Sequence, residues 1–403
     1  MAEQMELPPF KSKGTSFLKT CFNGLNALSG IGIITIPYTL SQSGWLSLGL
    51  LVAMAIVTCF TGLLLQKCMD SNPSIKTYSD IGSCSFGHKG RIIVSIFMYL
   101  EVYLVPTGFL ILEGDNLHKL FPNVSVEIGG HNIGGRQFFT VLAGLVILPS
   151  MWLKDLSMLS LVSASGVLSS VVVIASILWV AVFDGVGFSG HGEVFNLGGV
   201  PTSLSLYAFC YGAHPVFPTL YTSIKDKSQF SKVMLFSFGL STLSYVSMAI
   251  IGYAMFGNNV QSQVTLNLPT NKPSSKIAIY TTLVGPVAKY ALIITPLANA
   301  IESCLPSHYN NRPICILLRT LLLISTVFIA LVFPFFGYLM ALVGAILNVS
   351  VSIVLPCICY LKIFEVYKRW GFELVFIGGI IVMAFLVGVL GTYSSVKGIV
   401  THF

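Results

Sequence analysis

Two charged side chains stand inside otherwise apolar stretches: Glu101 in RIIVSIFMYLEVYLVPTGFLIL and Lys289 in KIAIYTTLVGPVAKYALIITPLANAIES. On insertion scales a charge at the centre of a membrane helix costs about 2.5–3.5 kcal/mol, so such residues normally have work to do. A carboxyl there suits uptake and release of a proton, and an ammonium supplies a fixed or titrating positive charge. The two are expected to pair, directly or through water, and a purely structural ion pair is the alternative. Glu302, at the end of the same stretch as Lys289, is expected to be interfacial. His214 is the one histidine expected within a span; a neutral imidazole serves there as hydrogen-bond donor, ligand contact or proton carrier, or simply holds irregular backbone in place.

Two apolar segments carry helix-disrupting residues at corresponding places: Ser29, Gly30, Ile31 and Gly32 in the first, and Tyr211, Gly212, Ala213, His214 and Pro215 in a later one. In lipid, broken backbone leaves polar groups unpaired, so a break is tolerated only where protein or a wet cavity takes those groups up. Matching breaks in two halves of a chain point to the central site of a secondary transporter.

The elements that must position these residues are membrane helices. The chain is 54% hydrophobic and 9% charged, with mean hydropathy +0.83, too apolar for a soluble core of 403 residues. Eleven spans are expected, from Thr15–Leu40 to Glu373–Ser395, each long enough for a bilayer core about 30 Å thick. Displaced by about 185 residues, the first five fall on the next five; the odd number per unit makes the second copy enter from the opposite side. The expected organisation is a short cytoplasmic tail over 1–14, repeat one over 15–183, a far-side loop over 184–200, repeat two over 201–364, and an eleventh helix with the C-terminus over 365–403. Most of the 22 lysines and arginines then fall on one face, among them Lys11, Lys13, Lys19 and Lys154. The positive-inside rule puts that face and the N-terminus in the cytoplasm and the C-terminus on the far side. The net charge of +7 is therefore an orientation signal, with no basic tract suited to nucleic acid.

Nine cysteines fall within spans or on the cytoplasmic face, so no structural disulfide is expected, and no metal site or cofactor either. Asn123, in Asn-Val-Ser, is a glycosylation acceptor on the expected far side. No nucleophile with a base and no phosphate cradle is present; GIGIIT from Gly30 lacks the third glycine of a dinucleotide motif, so an enzyme is not expected. A channel would need rows of polar residues along several helices.

FNGLNALSGIGIITIPYTL, YGAHPVFPTLYTSI, SQVTLNLP and FGYLMALVGAILNVSVSIVLPCICYLKI, in that order, resemble the amino acid/auxin permease family and most of all its plant vacuolar amino-acid transporter branch. The resemblance runs from about Thr15 to the end. It implies an all-α integral membrane fold of eleven helices, a five-plus-five LeuT-like inverted repeat with broken first and sixth helices, and amino-acid transport commonly coupled to protons. The vacuolar membrane, rather than the plasma membrane, follows from the resemblance alone. Departures are Gly285 before Pro286, where relatives often have Asn, Ala213 before His214, where Gly is expected, and the short N-terminal tail.

An amino acid brings a carboxylate and an ammonium to the membrane middle. Backbone N–H groups at the start of an inner half-helix suit the carboxylate and freed carbonyls suit the ammonium. The expected substrate contacts are Asn26, Ser29, Gly30, Ile31 and Gly32 from the first break, and Tyr207, Phe209, Tyr211, Gly212 and His214 from the second. Gly30 and Gly32 are expected to permit both the backbone geometry and close approach. Glu101 and Lys289 are the proton-coupling candidates. The expected partners are an amino-acid substrate, protons and the bilayer. A sensor that binds without net transport and a sodium-coupled transporter are the alternatives.

Overall fold

The computed structural model describes residues 14–128, 131–152, 159–306 and 311–402. Lys11, Lys13, Lys154 and all of the expected tail but Gly14 lie outside them. The helices are α1 (Phe17–Leu28), α2 (Gly32–Ser43), α3 (Leu48–Ser71), α4 (Tyr78–Leu120), α5 (Gly135–Met151), α6 (Leu159–Val182), α7 (Val200–Cys210), α8 (Phe217–Ser223), α9 (Phe230–Phe256), α10 (Pro273–Ser303), α11 (Arg312–Val332), α12 (Phe336–Val343), α13 (Leu355–Ile363) and α14 (Phe372–His402). Between α12 and α13 the backbone runs as π-helix over Gly344–Asn348 and Ser350–Val354. Among the described residues the one sheet is an antiparallel hairpin, β1 (Val126–Ile128) with β2 (His131–Ile133), between α4 and α5.

Seven helical segments in the described residues are long and apolar enough to cross a membrane, against eleven expected. The difference has a physical origin. Two expected spans are interrupted, as α1 with α2 and α7 with α8, so neither contains one long helix. Two more fall at α5, an apolar helix shorter than a full span, and at α6, whose stretch Gly166–Val182 is apolar. In α4 the expected span began at Arg91, whereas the helix starts at Tyr78 behind a Thr77–Asp80 capping box. A kink at Phe86 and Gly87 separates that first stretch, and Gly87 takes it up with φ +64, a conformation a side chain would disfavour.

The two interrupted segments run antiparallel and in contact. Thr15, just before α1, receives the Lys225 N–H on its carbonyl at 3.0 Å and donates its own N–H to Ser223 O at 2.8 Å, at the end of α8. At the other end Ser43 of α2 donates to Ser203 Oγ of α7 at 2.7 Å, and Ser203 donates to Thr39 O at 2.8 Å. Gly32 makes this approach possible: a Cβ there would lie 2.8 Å from Cys210 Sγ. Around this pair the core closes with α9 against α1 and α2, α10 against α4 and α6, and the π-helical stretch against α7. All nine cysteines are free thiols, seven of them buried.

Candidate functional site

The last turn of α1 ends in carbonyls with no helical partner, and the helix dipole concentrates negative charge there. Lys289 of α10 answers it: Nζ donates to Asn26 O at 3.3 Å and to Ser29 O at 3.4 Å. Gly166 of α6 makes the room, since any side chain there would collide with the Asn26 side chain and come within 3.2 Å of Lys289 Nζ. Tyr245 of α9 ties both breaks together, its hydroxyl reaching Leu28 O at the end of α1 and Cys210 O, at 3.1 Å, at the end of α7. One hydroxyl proton thus serves two helix ends, so movement of either half-helix is felt by the other.

Ser29, Gly30, Ile31 and Lys289 line a cavity of about 60 Å³ with Ser169 and Ser170 of α6 and Thr281, Thr282 and Gly285 of α10. Typical small-molecule pockets start near ~300 Å³, well above this volume. The two glycines of the first break have different roles. A Cβ at Gly30 meets nothing within 4 Å, whereas Gly32 is wedged on Cys210. Neither has positive φ, so the expectation that they permit unusual backbone gives way to a steric one: Ser29 leaves the helix at φ −81, ψ 83 without any left-handed residue. Pro37 sits inside α2 without breaking it.

The second break spans Tyr211–Ala213, followed by a tight turn at His214–Val216. His214 is fully buried; its Nε2 lies 3.1 Å from Thr58 O and 3.0 Å from Thr61 Oγ1, and Thr61 in turn donates to Ser352 O at 2.6 Å. The imidazole therefore fastens the break to α3 and the π-helical stretch. Tyr207 and Tyr211 are also fully buried, with hydroxyls bonded to Ser47 and Thr242, and Phe209 packs against the core. These residues and Gly212 do not line the cavity beside Lys289, and of the expected first-break contacts Ser29, Gly30 and Ile31 line it while Asn26 and Gly32 do not.

Glu101 and Lys289 do not pair directly. Among the described residues the ion pairs are Arg91–Asp80, Arg136–Asp115, Arg319–Glu302 and Lys368–Glu365. Glu101 instead accepts from Asn348 Nδ2 at 3.4 Å, while Lys289 faces the end of α1. Glu302, next to the end of α10, is buried and held by Arg319 Nε at 2.6 Å, while Arg319 also donates to Asn299 Oδ1. Asn123 is exposed just after α4.

Asn348, Tyr245, Thr61 and the buried Glu113 were missed from the sequence. A lone amide in an apolar run was the available signal for Asn348, and a second carboxylate so near Glu101 for Glu113.

Residues 13–400 match the family described as transmembrane amino acid transporter protein. The chain belongs to that family. It is 56% identical to amino acid transporter AVT1I of Arabidopsis thaliana, covering 96% of each chain, and 43% identical to AVT1B of the same plant, covering 96% of this chain and 72% of the other. The resemblance to the amino acid/auxin permeases and their plant vacuolar branch is thereby borne out, and the family is one of transporters rather than enzymes. Among solved structures, MhsT in complex with L-phenylalanine superposes with TM-score 0.57 at 11% identity, covering 96% of this chain and all of the other. A Na+-coupled sialic acid symporter superposes with TM-score 0.55 at 11% identity, covering 93% and 89%. The fold is therefore that of a LeuT-like helical membrane protein.

Proposed function

We infer that the protein carries neutral amino acids across the vacuolar membrane by proton-coupled alternating access. The observation that carries the coupling is the Lys289 ammonium on the Asn26 and Ser29 carbonyls. Carbonyls freed at a broken helix end are where a transporter of this architecture coordinates a coupling cation. A protein ammonium already on them leaves a proton as the mobile charge.

In this reading all eleven segments cross the bilayer, α1 with α2 and α7 with α8 each counting as one, in a five-plus-five inverted repeat. The antiparallel contact of the two interrupted segments supports it. The N-terminus is cytoplasmic, the C-terminus lies on the far side, and Asn123 is a far-side glycosylation acceptor. The substrate carboxylate meets backbone N–H groups around Ile31 and Gly32 at the start of α2, and the ammonium meets Asn26, Ser29 and the neighbouring carbonyls. Opening of the centre separates the two breaks and brings Tyr207, Phe209, Tyr211, Gly212 and His214 to the substrate side chain. Neutral substrates are favoured because the cavity offers hydroxyls and backbone, and its one charge is engaged with α1. Glu101 carries the proton.

Radiolabelled uptake into liposomes across a substrate panel tests this. Neutral amino acids should accumulate under an imposed proton gradient with sodium absent. Accumulation under sodium alone, or preference for charged amino acids, would overturn it. Location is read separately, from tagged protein in fractionated plant cells.

A further inference from the structure

We propose that Asn348 is the positioning residue for the proton on Glu101, holding the protonated carboxyl in a cyclic acid–amide pair against the second helix break. It rests on Glu101 as the proton carrier.

Asn348 Nδ2 donates to Glu101 Oε1. The remaining polar atom of each group, Glu101 Oε2 and Asn348 Oδ1, is buried with no hydrogen-bond partner among the described residues. Two buried acceptors left over on two side chains already joined by one bond are complementary on one condition. If Oε2 carries a proton, its O–H donates to Oδ1, and a carboxylic acid and a carboxamide are joined by two parallel bonds. An unpartnered buried polar group carries an uncompensated desolvation cost, so one proton relieves two such costs at once. A carboxylate cannot do this, having no donor. Among the described residues, other polar groups are engaged elsewhere. Tyr78 gives its hydroxyl to Val351 O, Lys289 is turned to α1, Arg319 is paired with Glu302 and Arg136 with Asp115, and Cys357 and Cys359 of α13 are free thiols.

The pair is also placed to be read out. Asn348 lies in the π-helical stretch, a distortion common at functional sites. Its amide sits directly on Gly212 of the second break, where any Cβ would overlap it. Loss of the proton leaves Oδ1 without a donor and repels it from the charged carboxylate. The amide then has to turn, and it turns against the Gly212 backbone. Protonation and the shape of the break are thus linked by one side chain.

Infrared difference spectroscopy of the purified protein in liposomes tests this without depending on transport. At neutral pH the wild type should show a protonated-carboxyl band, lowered in frequency by double hydrogen bonding and absent in Glu101→Gln. In Asn348→Ala, and in the nearly isosteric Asn348→Asp, which removes the N–H donor, that band should lose its downshift or vanish. Absence of a Glu101 acid band in the wild type would overturn the proposal, as would a band unchanged in both variants. Absence of any downshifted acid band in the wild type overturns it even if a variant fails to fold. If the band behaves as expected while uptake shows no proton dependence, the acid–amide pair stands and the proton-coupling reading falls.

Discussion

Lys289 carries the argument at the residue scale, because its two acceptors lie at the negative end of α1. Lys289→Met keeps the stem and removes the charge. Initial uptake should fall at least about tenfold, equivalent to ~1.4 kcal/mol in the barrier, with Lys289→Arg retaining part of it. Uptake by Lys289→Met within a factor of two of wild type would remove the ammonium from the mechanism. Glu101→Gln keeps the partner's bond to a carbonyl oxygen and cannot lose a proton; it should retain exchange of labelled for unlabelled amino acid and lose gradient-driven accumulation. Loss of exchange as well would deny Glu101 that specific role. Both charges were legible in the sequence because a charge in an apolar run is conspicuous. Their partners were not. Asn348 and Tyr245 are ordinary members of apolar helices until the packing brings them to a break, and direct pairing of Glu101 with Lys289 followed from repeat position, which fixes the helix and not the facing neighbour.

At the scale of elements, the two glycines of the first break separate space from shape. Gly32→Ala forces a methyl onto Cys210 and should destabilise by about 1–3 kcal/mol, the usual range for overpacking, measured as a lowered Tm. Gly30→Ala meets nothing within 4 Å and should change stability by no more than about 0.5 kcal/mol while weakening uptake, because the methyl enters the central cavity. Equal stability losses would refute this division. The start of α1 and the end of α8 are fastened by the Thr15 bridge to Ser223 and Lys225. Thr15→Pro removes the donated N–H and should speed alkylation of Cys21, 2% exposed; an unchanged rate would mean the bridge is not a latch. Both breaks were readable from local composition. The bridge was not, since nothing in Gly-Thr-Ser signals pairing with a segment more than 200 residues away.

Across the whole molecule, two polar networks join segments distant in the chain. Near the β1–β2 hairpin, Arg136 pairs with Asp115 at 2.6 Å and bonds Pro334 O, while Gln263 donates to Asp115 and accepts from Asn116. This network joins α4, α5, the loop before α10 and the link into α12, beside a cavity of about 250 Å³ lined by Tyr38, Phe336 and Tyr338. The Thr15 bridge joins the other pair of distant segments, and the cavity beside Lys289 is about 60 Å³. Class and architecture were open to the sequence because hydropathy reports lipid directly; these two networks were not, because they rest on contacts between distant segments. The most direct test of proton coupling is internal pH in liposomes, followed by an enclosed dye as a neutral amino acid is added outside without sodium. The account predicts a pH change that depends on the amino acid and disappears in Glu101→Gln. Amino-acid flux with no accompanying proton movement would contradict it.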